Sequence, residues 1–233
     1  MAALITRAFP DVRRADAGTI LVSSWNLPAP GVQKQAADLA IEKWEHQERP
    51  DAMLSFTTFL NENGREVLNY AQWTDDDSHR EWTRAARCSH DMGRVERMVL
   101  GLERPGEVRY SLHRSYATEE AAESAPGALV TPLFETDGPD SQRALIDGVI
   151  ATLERTRPPG LLAAHFHMSK DGHRVLNHAE WRDMSAWRRF AESGGTVEVG
   201  MLIEGLEGVA PAPTQPSVPR YLPYKSLVNI AAP

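Results

Sequence analysis

The sequence predicts an α+β protein built from two tandem ferredoxin-like units, each running strand–helix–strand–strand–helix–strand. Three observations lead there: an internal repeat, a Gly-centred hairpin in each copy of it, and a helical apolar period ahead of each hairpin. The repeat aligns Asn61 through Trp73 with Ser169 through Trp181 without a gap, and the shared pattern is G-x-x-V-L-N-x-A-x-W. A second tryptophan follows in each copy, Trp82 or Trp187. Arg49-Pro50 and Arg157-Pro158 precede the two copies, while Gly101-Leu102-Glu103 recurs as Gly205-Leu206-Glu207 and Arg109-Tyr110 as Arg220-Tyr221. Order preserved over that distance marks a duplication and sets the expected domains at 1–120 and 121–233.

The elements follow in chain order. Ile20 to Trp25 is short and β-branched, as a strand should be. Pro30-Gly31 then opens a segment with Val32, Ala36, Leu39, Ala40, Lys43 and Trp44 at helical spacing. Met53–Leu60 and Arg65–Trp73 flank a turn containing Gly64, a hairpin signal. Asp75–Arg87 reads as a polar helix whose acidic start supplies capping oxygens. Val95–Leu102 and Val108–Tyr116 are expected as the closing strands.

In the second copy, Ala128–Glu135 is the expected first strand, and Leu145, Ile146, Val149, Ile150 and Leu153 mark a helix. Leu161–Met168 pairs with His173–Trp181, Met184–Glu192 is helical, and closing strands start at Val197 and Arg220. The acidic, Ala-rich stretch Ala117–Pro126 reads as a linker. Ala210–Pro219, with its four prolines, reads as an extended excursion. A unit this small leaves one sheet face needing cover, so the two antiparallel sheets are expected to pack into an α+β barrel within one chain.

Bulk properties narrow the function. The 233 residues carry a formal net charge of −7 and show no basic run that could track a phosphate backbone, so nucleic acid is not an expected partner. No apolar run reaches transmembrane length, and Met1–Arg14 has no signal-peptide core; the expected location is the cytoplasm, with no membrane partner. The single cysteine, Cys88, excludes an intrachain disulfide and a cysteine metal cluster. Cys88, His90 and Asp91 form a short local group that reads as loop rather than as a nucleophile site. Asp75-Asp76-Asp77 lacks the spacing of a calcium loop and reads as a helix cap.

The candidate site residues lie on the hairpins. Asn69 and Trp73 stand four apart on one strand and share a face, as do Asn177 and Trp181. An amide can donate to a ketone or phenolate oxygen, and an indole can donate or stack; the same pair is equally the signature of a core anchor beside a satisfied buried amide. His165 and His167 share a face of the preceding strand. A loop of Lys170-Asp171-Gly172 with a bulge would align His165 with Asn177, whereas a two-residue Asp171-Gly172 loop would pair it with His178. Either way three histidines gather on one hairpin, where the first copy has Thr57, Phe59 and Tyr70. Histidine near neutral pH can move a phenolic or carbon-bound proton; the plainer alternative is a hydrogen-bonded histidine at a sheet interface. Spacing suggests no metal site. Arg109 and Arg220 read either as anion binders or as surface ion pairs.

Gly, then V-L-N-x-A-x-W, then a helix bearing another Trp resembles the antibiotic biosynthesis monooxygenase family, which includes the small anthrone monooxygenases of aromatic polyketide pathways. The resemblance implies a dimeric α+β barrel and an oxygenase acting on a polycyclic phenol, anthrone or angucyclinone. It implies a substrate pocket lined by Asn69 and Trp73 and by Asn177 and Trp181, with Asn26 as a further substrate contact and Glu135 or Asp137 in its place in the second copy. The expected catalytic set is His165, His167, Asn177 and Trp181, and the expected substrate-binding set is Asn26, Asn69, Trp73 and His178. A fused two-copy chain also resembles the ring-opening oxygenases of angucycline pathways, which use reduced flavin from a separate reductase. Triplet oxygen needs an electron donor, and no dinucleotide fingerprint is present. The expected cofactors are therefore none intrinsic, or FADH2 or FMNH2 as a diffusible cosubstrate beside molecular oxygen. The expected assembly is a monomeric pseudo-dimer or a homodimer. Because the same fold hosts other activities, a haem-binding protein and a non-oxidative cyclase or isomerase are the alternatives.

Overall fold

The computed structural model describes residues 3–87, 94–213 and 217–229; the Cys88, His90 and Asp91 group lies outside the described residues. The chain divides into two packing units, Met1–Arg109 with Tyr221–Pro233, and Tyr110–Arg220.

The N-terminal unit is α+β. Its elements are β1 (Ala3–Thr6), β2 (Thr19–Asn26), α1 (Gln33–His46), β3 (Met53–Asn61), β4 (Glu66–Trp73), α2 (Asp76–Arg87) and α3 (Arg94–Met98). The C-terminal unit holds most of β5 (Val108–Ala117), then β6 (Ala128–Val130), β7 (Leu133–Thr136), α4 (Pro139–Thr156), β8 (Leu161–Ser169), β9 (Arg174–Trp181), α5 (Met184–Glu192), α6 (Gly195–Glu204) and β10 (Val209–Pro211). The last strand, β11 (Arg220–Asn229), returns to the N-terminal unit. No helix among the described residues is long and apolar enough to cross a membrane.

Each sheet is antiparallel. In the N-terminal unit the order is β1-β11-β3-β4-β2; in the C-terminal unit β5 pairs β8, β8 pairs β9, and both β6 and β7 pair β9, with β10 on β7. Packing thus divides the chain near residues 109 and 220, whereas the sequence-based expectation is 1–120 and 121–233. Strand β5 pairs β8, and β11 pairs β3. The outer strand of a hairpin offers a row of unpaired N–H and C=O groups; either closing strand could satisfy them, and repeat sequence alone does not say which.

Both hairpins turn on a glycine in the left-handed region, Gly64 at φ 73° and Gly172 at φ 83°. Their amides close onto Asn61 O and Ser169 O, each at 3.0 Å. A side chain there would be strained, which is why the repeat keeps glycine. A buried glutamine fastens each helix to its hairpin. Gln33 donates to Asn61 O and Glu66 O at 2.9 and 2.8 Å. Gln142 donates to Ser169 O and Arg174 O at 3.3 and 2.8 Å. The second helix of each unit starts on a capping aspartate: Asp75 accepts from Ser78 N and Asp183 from Ala186 N, both at 2.8 Å.

Three expected elements differ. Val95–Leu102 contains the helix α3, not a strand: Val95 and Val99 are four apart and both buried, so they present one helical edge to the core. The segment from Val197 lies in α6, where Val199, Leu202 and Ile203 repeat at helical spacing against the C-terminal core. Ala128–Glu135 is two strands, β6 and β7, interrupted at Thr131-Pro132, since proline has no N–H for a ladder. The Ala117–Pro126 linker includes a short 3-10 turn at Glu119–Ala122.

Candidate functional site

In the N-terminal unit α1, α2 and α3 leave a cavity of about 250 Å³ against one face of the sheet, with Asn69, Ala71 and Trp73 of β4 on its wall. Small residues of α1 stand where it meets the sheet: Ala40 lines the cavity, and Ala36 and Ala37 are buried in the core. With Gln33 and Gln142 in equivalent places, the matching positions of α4 are Leu145, Ile146 and Val149, and these side chains fill the corresponding core. Asn177 and Trp181 therefore face a packed interior, with Trp187 and Phe190 rings at 5.4 and 5.2 Å from Trp181.

Trp44, Trp73 and Trp82 form the aromatic part of the wall. Trp44 stacks on Trp82 at 4.8 Å, and Trp73 meets Trp82 at 5.7 Å. Polar side chains share the wall with them. Asn69 is buried, and among the described residues neither its amide oxygen nor its amide nitrogen has a hydrogen-bond partner; the same is true of the Trp73 indole nitrogen. An unmade hydrogen bond at a buried amide costs about 1–3 kcal/mol. Both residues line the cavity, so these unpaired atoms lie beside the space that a ligand would fill. Lys43, His46, Arg104 and Glu107 also line the cavity, with Arg104 over the Trp25 ring at 4.8 Å.

His79 of α2 completes this wall, and sequence reasoning missed it. Its ring meets Trp73 edge to face at 4.8 Å. Arg109 Nη2 lies 3.0 Å from His79 Nδ1, and Arg109 Nη1 pairs with Asp76 at 2.7 Å. Burial, then the nearby Arg109 charge, push the His79 pKa down to about 4, so the ring is neutral at pH 7. Arg109 is thus an ion-pairing residue, the plainer of its two expected roles. Asn26 is exposed at the end of β2, where its backbone bridges to Glu103, and it is not among the cavity-lining residues.

The histidines of the second hairpin form a separate group. The register pairs His165 with His178 and Phe166 with Asn177. His165, His167, His178 and Glu180 consequently share one sheet face, while Asn177 and Trp181 lie on the other with Phe166 and Ala179. The expected catalytic quartet is divided between two faces and does not converge on one reacting centre. His165 Nδ1 bonds Ser115 Oγ at 2.8 Å, and the Nε2 atoms of His165 and His178 lie 3.6 and 3.5 Å from Glu180 Oε1. Burial pushes the Glu180 carboxyl up, but contacts with His165 and His178 outweigh it and leave the pKa at about 2. Burial likewise lowers His178, and lowers His167 to about 3. Among the described residues no group of three or more His, Cys, Asp or Glu side chains is placed to hold a metal ion.

Comparison with known proteins supplies a sequence relative and a fold. No family model matches the chain. A stretch of 52 residues, 22% of this chain, is 38% identical to the Tetracenomycin-F1 monooxygenase of Streptomyces glaucescens, and it spans 46% of that protein, under half its length. A solved anthrone oxidase-like protein matches 91% of this chain and 93% of its own, with a TM-score of 0.65 at 11% identity. A protein from Fusobacterium nucleatum, provisionally named a monooxygenase, matches over 93% and 96% with a TM-score of 0.57 at 9% identity. At such identities the structural likeness is one of fold. The resemblance read from the V-L-N-x-A-x-W strands is borne out as local similarity to one such monooxygenase and as a shared fold.

Proposed function

We propose that this chain is an oxygenase of aromatic polyketides, and that the N-terminal cavity takes a compact fused-ring phenol or anthrone. One observation carries the reading: a tryptophan-walled cavity lined by Asn69 and Trp73, whose amide and indole nitrogen have no hydrogen-bond partner among the described residues. The local identity to a tetracenomycin monooxygenase supports the same chemistry. The volume sits just below the ~300–1,000 Å³ of pockets for drug-sized ligands, which favours a few fused rings over an extended chain. That residues 1–120 and 121–233 are duplicated copies of one module is part of this proposal, supported by the recurring hairpins and glutamine clasps.

The chemistry balances with oxygen alone when the substrate is an anthrone. The methylene loses a proton to solvent base, and its electrons pass into the ring ketone as an enolate. Donation from the Asn69 amide and the Trp73 indole to that oxygen favours the anion. The anion reduces oxygen, and the resulting carbon-bound hydroperoxide loses water. The sum is a methylene plus O2 giving a quinone carbonyl plus H2O. Oxygenation that leaves no carbonyl needs two more electrons, which a diffusible reduced flavin would supply.

The test is oxygen uptake by the purified chain with an anthrone, with and without reduced flavin. Uptake matched by quinone formation, and lost in Asn69→Ala and Trp73→Phe, is the expected result. Uptake no faster than in buffer in both arms overturns the proposal.

A further inference from the structure

We infer that His79 is a third N–H donor to the Asn69–Trp73 cavity, its tautomer fixed by the Asp76–Arg109 pair, so that the cavity selects ligands bearing an ionised phenol or enol oxygen. The purpose rests on the oxygenase reading; the geometry stands without it.

A guanidinium carries only N–H groups and can only donate. At 3.0 Å from Arg109 Nη2, His79 Nδ1 must therefore be the acceptor. An imidazole that accepts at Nδ1 carries its single proton on Nε2. A second proton would set N–H against N–H, so the same contact holds the ring neutral. Asp76 fixes Arg109 through its own ion pair at 2.7 Å, making Asp76 and Arg109 positioning residues behind the imidazole. The remaining Nε2–H has one long contact, 3.4 Å to Thr83 Oγ1, and Thr83 itself donates to His79 O at 2.9 Å. His79 and Thr83 both line the cavity.

A histidine beside a substrate pocket invites the role of general base. Here the lone pair that a base needs is held by Arg109, and what the ring has to offer is a hydrogen bond. A neutral imidazole acting as donor polarises an oxygen without adding a full buried charge. The charged groups around His79 are consistent with this state: Arg109 and Arg80 oppose its protonation, Glu107 and Asp76 favour it, and burial decides the balance. The amide, the indole and the imidazole then give the cavity three N–H donors for a developing negative charge. Arenes of the same shape without an ionisable oxygen gain nothing from it.

The probe is 1,8-dihydroxyanthraquinone, whose phenolate is visible by its absorbance. Bound to the intact chain, its apparent pKa should fall by at least about one unit, a tenfold gain in phenolate at fixed pH. His79→Phe should return it towards the free value, Arg109→Gln should remove part of the shift, and Arg109→Lys, which still donates, should retain more. Nitrogen-15 spectra of histidine-labelled protein, assigned by the signal lost in His79→Phe, should show the Nε2-protonated tautomer, disturbed in Arg109→Gln. An Nδ1-protonated ring, or a bound-dye pKa indifferent to His79→Phe, overturns the inference. If the wild-type chain does not bind the dye, the oxygenase reading loses its pocket and the ligand selection falls with it, while the tautomer still reports separately on the donor geometry.

Discussion

The His79 imidazole meets the Trp73 indole edge to face, with ring centroids 4.8 Å apart and planes at 79°. Trp187 meets Trp181 in the same manner, at 5.4 Å and 70°. One position on the second helix thus places a small polar ring in the N-terminal unit and a large apolar one in the C-terminal unit. Together with the alanines of α1, that exchange leaves one unit open and packs the other.

Asn69 should trade stability for activity. Its amide is buried and unpaired, so the folded chain bears its desolvation cost without return. Asn69→Ala should leave the stability unchanged or raise it, by up to the ~1–3 kcal/mol that an unsatisfied buried group costs. Loss of one donor to a developing oxyanion should lower kcat by about 10²–10³. Thermal denaturation and oxygen uptake on the same preparation check both halves; a clear destabilisation would mean that the amide is a satisfied structural group.

The cavity should close when α1 is given the bulk of α4. Ala40 lines the cavity, and the matching position in the C-terminal unit is Val149. Ala40→Leu should reduce binding of a planar aromatic at least about tenfold, or about 1.4 kcal/mol. The melting temperature should change little, because the added methylenes enter empty space instead of a packed core. Isothermal titration with a hydroxyanthraquinone measures the first effect and calorimetry the second.

The hairpins were legible because period-two strands around a glycine leave a direct imprint on sequence. The cavity was not, because it depends on small differences of volume: Ala36, Ala37 and Ala40 against Leu145, Ile146 and Val149. A signal for His79 was nevertheless present. Extending the ungapped match beyond Trp73 and Trp181 sets His79 against Trp187 and Trp82 against Phe190. Pairing Trp82 with Trp187 by residue type hid that exchange. The helix α3 was masked by the β-branched Val95 and Val99, whose four-residue spacing outweighs their strand propensity once both are buried. The face occupied by the histidines was decided by the hairpin register, which two loop geometries left open.

Gly18 and Gly127 should resist substitution for reasons of contact. A Cβ on Gly18 would meet Thr74 O at 2.3 Å, and one on Gly127 would meet Arg182 O at 2.5 Å. Both partners are backbone, so they cannot swing aside, and Gly18 N already bonds Thr74 O at 3.0 Å. Alanine at either site should destabilise by about 1–3 kcal/mol, the usual cost of overpacking. Urea denaturation of the single variants measures it, and a shift below half a kcal/mol would show that the backbone yields.

Acid should unfold the chain through its buried histidines. The fully buried His167 has a folded pKa of about 3, against about 6.5 in an unfolded chain, with burial the leading cause. A depressed folded pKa means that the unfolded chain binds the proton first. The contribution is therefore fully present above pH 6.5 and is lost progressively as the pH falls from 6.5 towards 3. The limiting slope is about 1.4 kcal/mol per pH unit for one such histidine, an upper bound if the site opens locally to take the proton. Glu180, with a folded pKa of about 2, acts in the same direction at lower pH, its contribution lost as the pH falls from about 4.5 towards 2. Stability measured from pH 7 to pH 4 should decline steeply in the wild type and less steeply in His167→Leu, which has no proton to gain. Equal slopes would show that His167 takes its proton without unfolding the chain.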